Sequence, residues 1–247
     1  RTRTGDDVLM ARILIAEDHP TNLLVARTLL TRAGYRVESA ANGREALAAM
    51  KRRPHDLILM DLSMPEMDGM EATRAIRALD GEAARTPIIA MSAHIPDEER
   101  ESLKEAGIDD FLPKPASRDG MIAMIEQWTQ GKSAAEDPDS QEVSNDDLLD
   151  LGVLETLARD AGQEAMPMLL ESFITDTRAR MEVISTALAD HNLEKLEREA
   201  HTLGSSAATF GAMGLHDHCR RVEAAWQEGN GATALAEAGA LPQAAYQ

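Results

Sequence analysis

At 247 residues the chain has room for one large domain or two small ones. Its formal net charge of −18 argues against nucleic acid as a direct partner, because neutralising phosphates needs a basic surface. No stretch approaches the ~20 consecutive apolar residues of a membrane span, and nothing at the start resembles a signal peptide. The lone Cys219 has no second cysteine to pair with inside the chain, which fits a reducing cytoplasm. The chain begins at Arg1 rather than Met, and the expectation drawn from this is a piece of a longer polypeptide.

In chain order, apolar runs alternate with amphipathic stretches up to about Gln130, the pattern of βαβ units and a parallel sheet. Strands are predicted near 11–16, 36–40, 57–61, 88–92 and 109–112, with helices near 20–33, 43–52, 69–79, 97–106 and 118–129. Pro20 suits the first turn of its helix, and Gly34 and Gly107 read as helix-ending glycines. From Gly131 to Asp150 the composition turns to Ser, Asp, Glu, Gln and Asn, with seven acids against one lysine. Such a stretch buries too little apolar surface to order itself and reads as a flexible linker. The expected domains are therefore residues 1–130, a linker at 131–150, and residues 151–247.

After Leu151 the pattern is helical throughout. Leu170, Phe173, Thr177, Met181, Ile184 and Leu188 form one stripe at spacings of three and four. Leu193, Leu196, Ala200, Leu203, Ala207 and Phe210 form the next, and Leu215, Cys219, Val222 and Trp226 a third. Three such helices bury their stripes against one another, with the short Leu151–Asp160 segment covering an end.

The predicted strand ends carry the chemistry. Glu17 and Asp18 follow the first run and Asp61 closes the third. Ser92 closes the fourth, and Lys114 follows the fifth. In parallel sheets this edge is where α/β folds place their sites. Three carboxylates, a hydroxyl and an ammonium on one rim suit a hard divalent cation, an acceptor carboxylate and a phosphoryl group. In the helical half His201 lies beside the apolar stripe, with Gly204, Ser205 and Ala208 as its neighbours along the helix. This small-residue platform is expected to face solvent and leave room for another protein to press against the ring. A largely neutral imidazole is then a nucleophile toward phosphorus. His216 and His218, two residues apart, face different directions and do not make a metal pair. His19 and His94 border the rim and read as exposed loop histidines.

Residues 12–130 resemble the receiver domain of two-component response regulators. The anchors are Glu17-Asp18, Asp61 in Asp-Leu-Ser-Met-Pro-Glu-Met-Asp-Gly, Met91-Ser92-Ala93 and Lys114-Pro115, with Phe111 three before the lysine. Residues 151–247 resemble histidine-phosphotransfer (HPt) domains, through Ala200-His201-Thr202-Leu203, Ser206-Ala207-Ala208, Gly211-Ala212 and the later Leu215, Cys219, Val222 and Glu223. The pair is similar to the C-terminal part of a hybrid sensor histidine kinase without its kinase catalytic domain. The implied fold is a flavodoxin-like, doubly wound, five-stranded parallel sheet followed by an all-α, four-helix-bundle type of domain.

The resemblance assigns roles to the matching residues. Asp61 is the implied phosphoacceptor. Mg²⁺ is expected on Glu17, Asp18, Asp61 and the backbone carbonyl of Ser63, offsetting the repulsion between a carboxylate and a phosphoryl group. Lys114 is expected to pair with the phosphoryl oxygens, Ser92 to hydrogen-bond one of them, and Phe111 to swing inward as a switch. His201 is the implied next carrier, docking through Gly204, Ser205 and Ala208. HPt domains commonly carry Lys then Gly where this chain has Gly204 and Ser205, so an obvious counter-ion for phosphohistidine is missing; Lys195, Arg198 and Arg220 are the candidate substitutes. The implied partners are a histidine kinase core and a downstream response regulator. The expected location is the cytoplasm, with a parent protein that can be membrane-anchored and no direct membrane contact in this segment. The linker, about 20 flexible residues, reaches ~25 Å and gives an effective concentration in the millimolar range, enough for an intramolecular step.

Two other readings stand beside this one. A phosphatase of the haloacid dehalogenase type places a general-acid Asp two residues after its nucleophile, where this chain has Ser63. A pure binding module would let phosphorylated Asp61 change partner affinity while the bundle docks partners without accepting phosphate.

Overall fold

The computed structural model describes residues 11–92, 97–130 and 148–245. The expected linker segment 131–147, His94, Ala93 and the ten N-terminal residues lie outside the described residues. The chain divides into two compact units, each taken here by itself.

In the first, β1 (Arg12–Ala16), β2 (Arg36–Ala40), β3 (Leu57–Asp61), β4 (Ile88–Ser92) and β5 (Asp110–Pro113) form one parallel sheet of order β2-β1-β3-β4-β5. β3 is buried at every position, as an interior parallel strand covered on both faces must be. Side chains alternate across the sheet. Leu14, Ala16, Ile58, Met60, Ile88 and Ala90 share a core with buried residues of α2 (Gly43–Arg52), α3 (Gly69–Arg77) and α4 (Asp97–Ala106). The alternate residues Ile13, Ile15, Leu57, Leu59 and Ile89 point to the other face, which α1 (Pro20–Arg32) and α5 (Arg118–Gln130) supply with buried Val25, Leu29, Leu30, Met121 and Ile125. Strand order reverses between β1 and β3, so a crevice opens beyond their C-terminal ends.

Local chemistry fixes the element ends. The side chain of Asn42 accepts from Glu45 N at the start of α2, and that of Asp68 accepts from Glu71 N at the start of α3. Gly34 and Gly107 end their helices at φ of 95° and 105°, in the left-handed region that glycine enters without strain. Gly69 is required by proximity: a Cβ there would lie 2.3 Å from the Asp61 carbonyl oxygen. A short 3₁₀ turn at Ala83–Arg85 leads into β4.

The second unit is helical: α6 (Leu151–Ala161), α7 (Met166–Ala189), α8 (Leu193–Thr209), α9 (Met213–Gln227) and α10 (Gly231–Ala245). Met181, Ile184, Leu196, Leu203, Leu215 and Val222 meet Ala238 and Leu241 of α10 in one core. The fourth long helix of this bundle is therefore α10, and not the short α6. Trp226 departs from its expected stripe position and is 38% exposed, with Ala225 facing inward in its place. Phe173 of α7 stacks on Phe210 at the end of α8, centroids 4.6 Å apart. Leu148–Asp150, expected as the end of the linker, are seated on the bundle. Asp150 N donates to Gly211 O at 2.7 Å, and the Asp150 side chain caps α6. Among the described residues no helix is long and apolar enough to cross a membrane.

One ion-pair cluster, with exposed arginines around a half-buried glutamate, ties edge strand β2 to the end of α2. Glu38 accepts from Arg52, from Arg53 Nε at 2.8 Å, and pairs with His55 Nε2 at 3.0 Å. Burial alone would raise the Glu38 carboxyl, but the bonds from Arg53, His55 and Arg52 outweigh it and lower its pKa to about 2. A depressed carboxyl contributes stability fully above its unfolded value and loses it as pH falls toward the folded one. Glu38→Gln is therefore expected to lower stability at pH 7 by about 1–3 kcal/mol. In urea titrations the gap between parent and variant should narrow by pH 3; an equal gap at both pH values would contradict this account.

Candidate functional site

The ends of β1, β3 and β5 converge on one charged cluster. Asp61, the last residue of β3, is 6% exposed, and Glu17, just beyond β1, is 3% exposed; Asp18 is half-buried. One oxygen from each of the three carboxylates lies within 4.8 Å of the others. Lys114, just beyond β5, reaches into this group with Nζ 2.7 Å from Glu17 Oε2 and 2.8 Å from Asp61 Oδ2. Its backbone N–H donates to Ser92 O at 2.9 Å, which locks the lysine to the end of β4.

Electrostatics follows from this packing. Burial alone would lower the Lys114 pKa, but the charges of Glu17 and Asp61 and the hydrogen bonds to them prevail, and it is raised. Glu17 is raised by burial and by the charge of Asp61, against the opposing effect of Lys114. One ammonium faces three carboxylates, so the cluster keeps an excess of negative charge. An all-oxygen, acidic donor set of this kind fits a hard divalent cation.

The remaining expected residues lie around the cluster. Ser63 N–H donates to Asp61 Oδ1 at 3.2 Å, orienting the carboxylate. Ser92 closes β4, half-buried. Phe111 is half-buried against the core, with the Arg100 guanidinium 5.6 Å from its ring centroid. His19 is buried, contrary to the exposed-loop reading, and its N–H donates to Glu17 Oε1 at 3.3 Å.

In the helical unit His201 lies on α8, half-buried, with Nδ1 3.0 Å from Glu223 Oε2 of α9. A carboxylate only accepts, so in this contact Nδ1 is the protonated ring nitrogen and donates to Glu223. Sequence reasoning used Glu223 only as a motif letter. Its role as the histidine's partner depends on the register of α8 against α9, which spacing within one helix does not reveal.

The platform expected around His201 needs correction. Gly204, Ser205 and Ala208 do not face solvent; residues 203–208 are buried without interruption. Gly204 is where α9 comes close, since a Cβ there would stand 2.9 Å from Cys219 Cβ. His216 Nδ1 pairs with the Gly204 carbonyl at 2.9 Å across the same contact. A lysine at 204 would force the two helices apart, which explains the missing cation in physical terms. Two carboxylates, Glu223 and Glu197, act on the ring of His201. Glu197 is raised by burial, opposed by His201, and raised again by Glu223. His218 lies instead against Arg221 and Glu237, so His216 and His218 do not form a pair.

The Glu223 contact generates a direct test. Two-bond ¹⁵N–¹H correlation of the neutral ring should show the Nδ1–H form of His201 in the parent, and Glu223→Ala should redistribute it toward Nε2–H. An Nε2–H ring in the parent, or a tautomer that ignores the substitution, would remove Glu223 from this role.

Comparison with known proteins gives the following. The family model of the response regulator receiver domain matches residues 13–126, and that of the Hpt domain matches residues 168–246. The sensor histidine kinase GacS of Pseudomonas protegens is 34% identical over 222 residues, covering 86% of this chain and 24% of GacS. The aerobic respiration control sensor protein ArcB of Escherichia coli is 26% identical over 225 residues, covering 89% of this chain and 29% of ArcB. The chain thus spans about a quarter of the length of these relatives. Among solved structures, the receiver domain of sensor histidine kinase PA1611 from Pseudomonas aeruginosa, with magnesium coordinated in its active-site cleft, is 38% identical. It covers 49% of this chain and 98% of that one, with a TM-score of 0.46.

Proposed function

The chain consists of a response regulator receiver domain followed by an Hpt domain and is a two-component phosphorelay module; we propose that Asp61 and His201 are its two phosphoryl carriers. The observation that carries the reading is the convergence of Glu17, Asp18 and Asp61 with the Lys114 ammonium at the strand ends.

In this reading an Asp61 carboxylate oxygen attacks the phosphorus of a phosphohistidine on a kinase core. The O–P bond forms as the N–P bond breaks, and the kinase imidazole leaves. Glu17, Asp18, Asp61 and the Ser63 carbonyl would hold Mg²⁺, which supplies positive charge against the incoming phosphoryl oxygens. The Ser63 amide holds the Asp61 carboxylate in place. Lys114 exchanges part of its contact with Glu17 and Asp61 for the phosphoryl oxygens, Ser92 donates to one of them, and Phe111 turns inward behind it. Little covalent assistance is needed in either step, because the donor is a reactive phosphoramidate in the first and the acyl phosphate of Asp61, a reactive mixed anhydride, in the second; the protein's task is alignment and charge neutralisation.

The second step forms a bond from His201 Nε2 to phosphorus and breaks the one to the aspartate oxygen. Glu223 stabilises the positive charge that develops on the ring through its contact with Nδ1. A downstream response regulator then takes the group from His201. The proposed setting is the cytoplasm, as part of a longer hybrid kinase. The dehalogenase-type alternative lacks its general acid, because Ser63 follows Asp61 at the required spacing.

The test uses acetyl phosphate with Mg²⁺ and separates base-labile acyl phosphate from acid-labile phosphohistidine. The parent should carry both, Asp61→Asn neither, and His201→Gln the base-labile species alone. Undiminished labelling of Asp61→Asn would put the acceptor elsewhere. Acid-labile label that survives in His201→Gln would leave the bundle as a docking module.

A further inference from the structure

The first residue of α2, Gly43, is buried and starts a helix with a residue type that disfavours one. Its φ lies outside the left-handed region, so conformational freedom does not account for it. Proximity does. A Cβ at Gly43 would lie 2.6 Å from the Met67 carbonyl oxygen, 2.7 Å from Met67 Cγ and 2.8 Å from Ala72 Cβ. Non-bonded carbons rest about 3.5–4.0 Å apart, so any side chain here pushes a neighbour aside. The bare Cα lets the Gly43 N–H donate to Met67 O at 3.1 Å.

Met67 belongs to the segment 62–68, which leads away from Asp61 and contains Ser63. Two backbone bonds make this segment compact. Gly69 N–H donates to Leu62 O at 3.1 Å across its base, and Met67 N–H donates to Pro65 O at 2.8 Å within it. Met64 and Met67 pack into the sheet core below, and the Ser63 amide donates to Asp61 Oδ1. A short, closed segment of this kind passes a push at Met67 on to Ser63. The helices on the other side of the contact have little room to yield, because Ala46 of α2 and Ala72 of α3 are fully buried. A second link between α2 and the segment, Arg44 Nε to Glu66 Oε2 at 3.8 Å, joins side chains that are 68% and 63% exposed. Such a surface pair contributes little, so the hold on the segment lies in the Gly43 contact.

We propose that Gly43 is a positioning residue for the phosphoryl site: its close approach to Met67 fixes the segment that carries Ser63. The inference rests on the reading above, in which Asp61 accepts the phosphoryl group and the Ser63 carbonyl is a ligand of Mg²⁺. Mg²⁺ demands near-ideal octahedral geometry, so displacing one ligand carbonyl by a fraction of an ångström weakens it. Gly43 touches neither the metal nor phosphorus and acts only through Met67. The first turn of α2 thereby becomes part of the site's support, although it contributes no functional group to the rim.

The experiment titrates the full chain with MgCl₂ and follows backbone amides by NMR. Gly43→Ala should weaken Mg²⁺ by about tenfold, ~1.4 kcal/mol, and shift the Ser63 amide resonance already without metal. Arg44→Ala, which removes only the exposed ion pair, should keep the parental affinity. Hydrogen exchange in the parent gives a measurement that needs no variant to fold. The Gly43 amide should be protected, and more so with Mg²⁺, because the ion fastens the segment that accepts its proton. Parental Mg²⁺ affinity in Gly43→Ala, an equal loss in Arg44→Ala, or Gly43 exchange indifferent to Mg²⁺ would each overturn the assignment. A parent that binds no Mg²⁺ would overturn the underlying reading of the carboxylate cluster, and this inference with it.

Discussion

An ammonium buried between two carboxylates is the constraint on which the receiver half depends. Lys114 has its charged end within 2.8 Å of Asp61 and 2.7 Å of Glu17, with only 9% of its side chain exposed. A buried ion of this kind is tolerable only when paired, so the ends of β1, β3 and β5 must arrive together for any of them to be stable there. The parallel sheet supplies that coincidence because β1, β3, β4 and β5 all end on one edge. Gly69 lets the chain after Asp61 fold back against it, and the Ser63 amide holds the carboxylate that remains to act. The result is a cluster with more negative charge than its own lysine neutralises, which is what the proposed exchange of internal ion pairs for an external cation and a phosphoryl group requires.

The helical half meets a different constraint. Its histidine must be held without being covered, and close approach of α8 and α9 at Gly204 does this. Without a Cβ at 204, Cys219 seats directly against α8, and Glu223, one turn further along α9, comes level with His201. The same closeness excludes a lysine from position 204. Glu223 meets Nδ1 of the imidazole directly, and Glu197 lies within electrostatic reach of it. In the proposed relay, the Glu223 carboxylate contact would stabilise an imidazolium-like ring during transfer.

The sheet and its helices were legible because buried parallel strands leave a distinctive trace: β1, β3 and β4 are short apolar runs that end in polar residues. The carboxylates and the lysine could be placed on one rim for the same reason. The ion pairs between them could not, since 97 positions separate Glu17 from Lys114 and only the folded register joins them. The fourth helix of the bundle escaped notice because α10 buries small residues, Ala234 and Ala238 with Leu241, and carries Pro242 within its span. An alanine face has little contrast against its surroundings. The platform around His201 was misplaced because small residues look equally suited to an open surface and to tight helix contact. Only the position of Cys219 decides for Gly204.

The most direct test of the central claim is one sample series measuring both Mg²⁺ affinity and phosphorylation rate in the parent and in Lys114→Ala. If Lys114 is the counter-ion of the phosphoryl group, the variant should bind Mg²⁺ as tightly as the parent or more so, having lost a competing cation. Its phosphorylation by acetyl phosphate should fall by at least about tenfold, ~1.4 kcal/mol of barrier. A variant that binds Mg²⁺ and accepts phosphate at parental levels would reduce Lys114 to a structural ion pair and contradict the account.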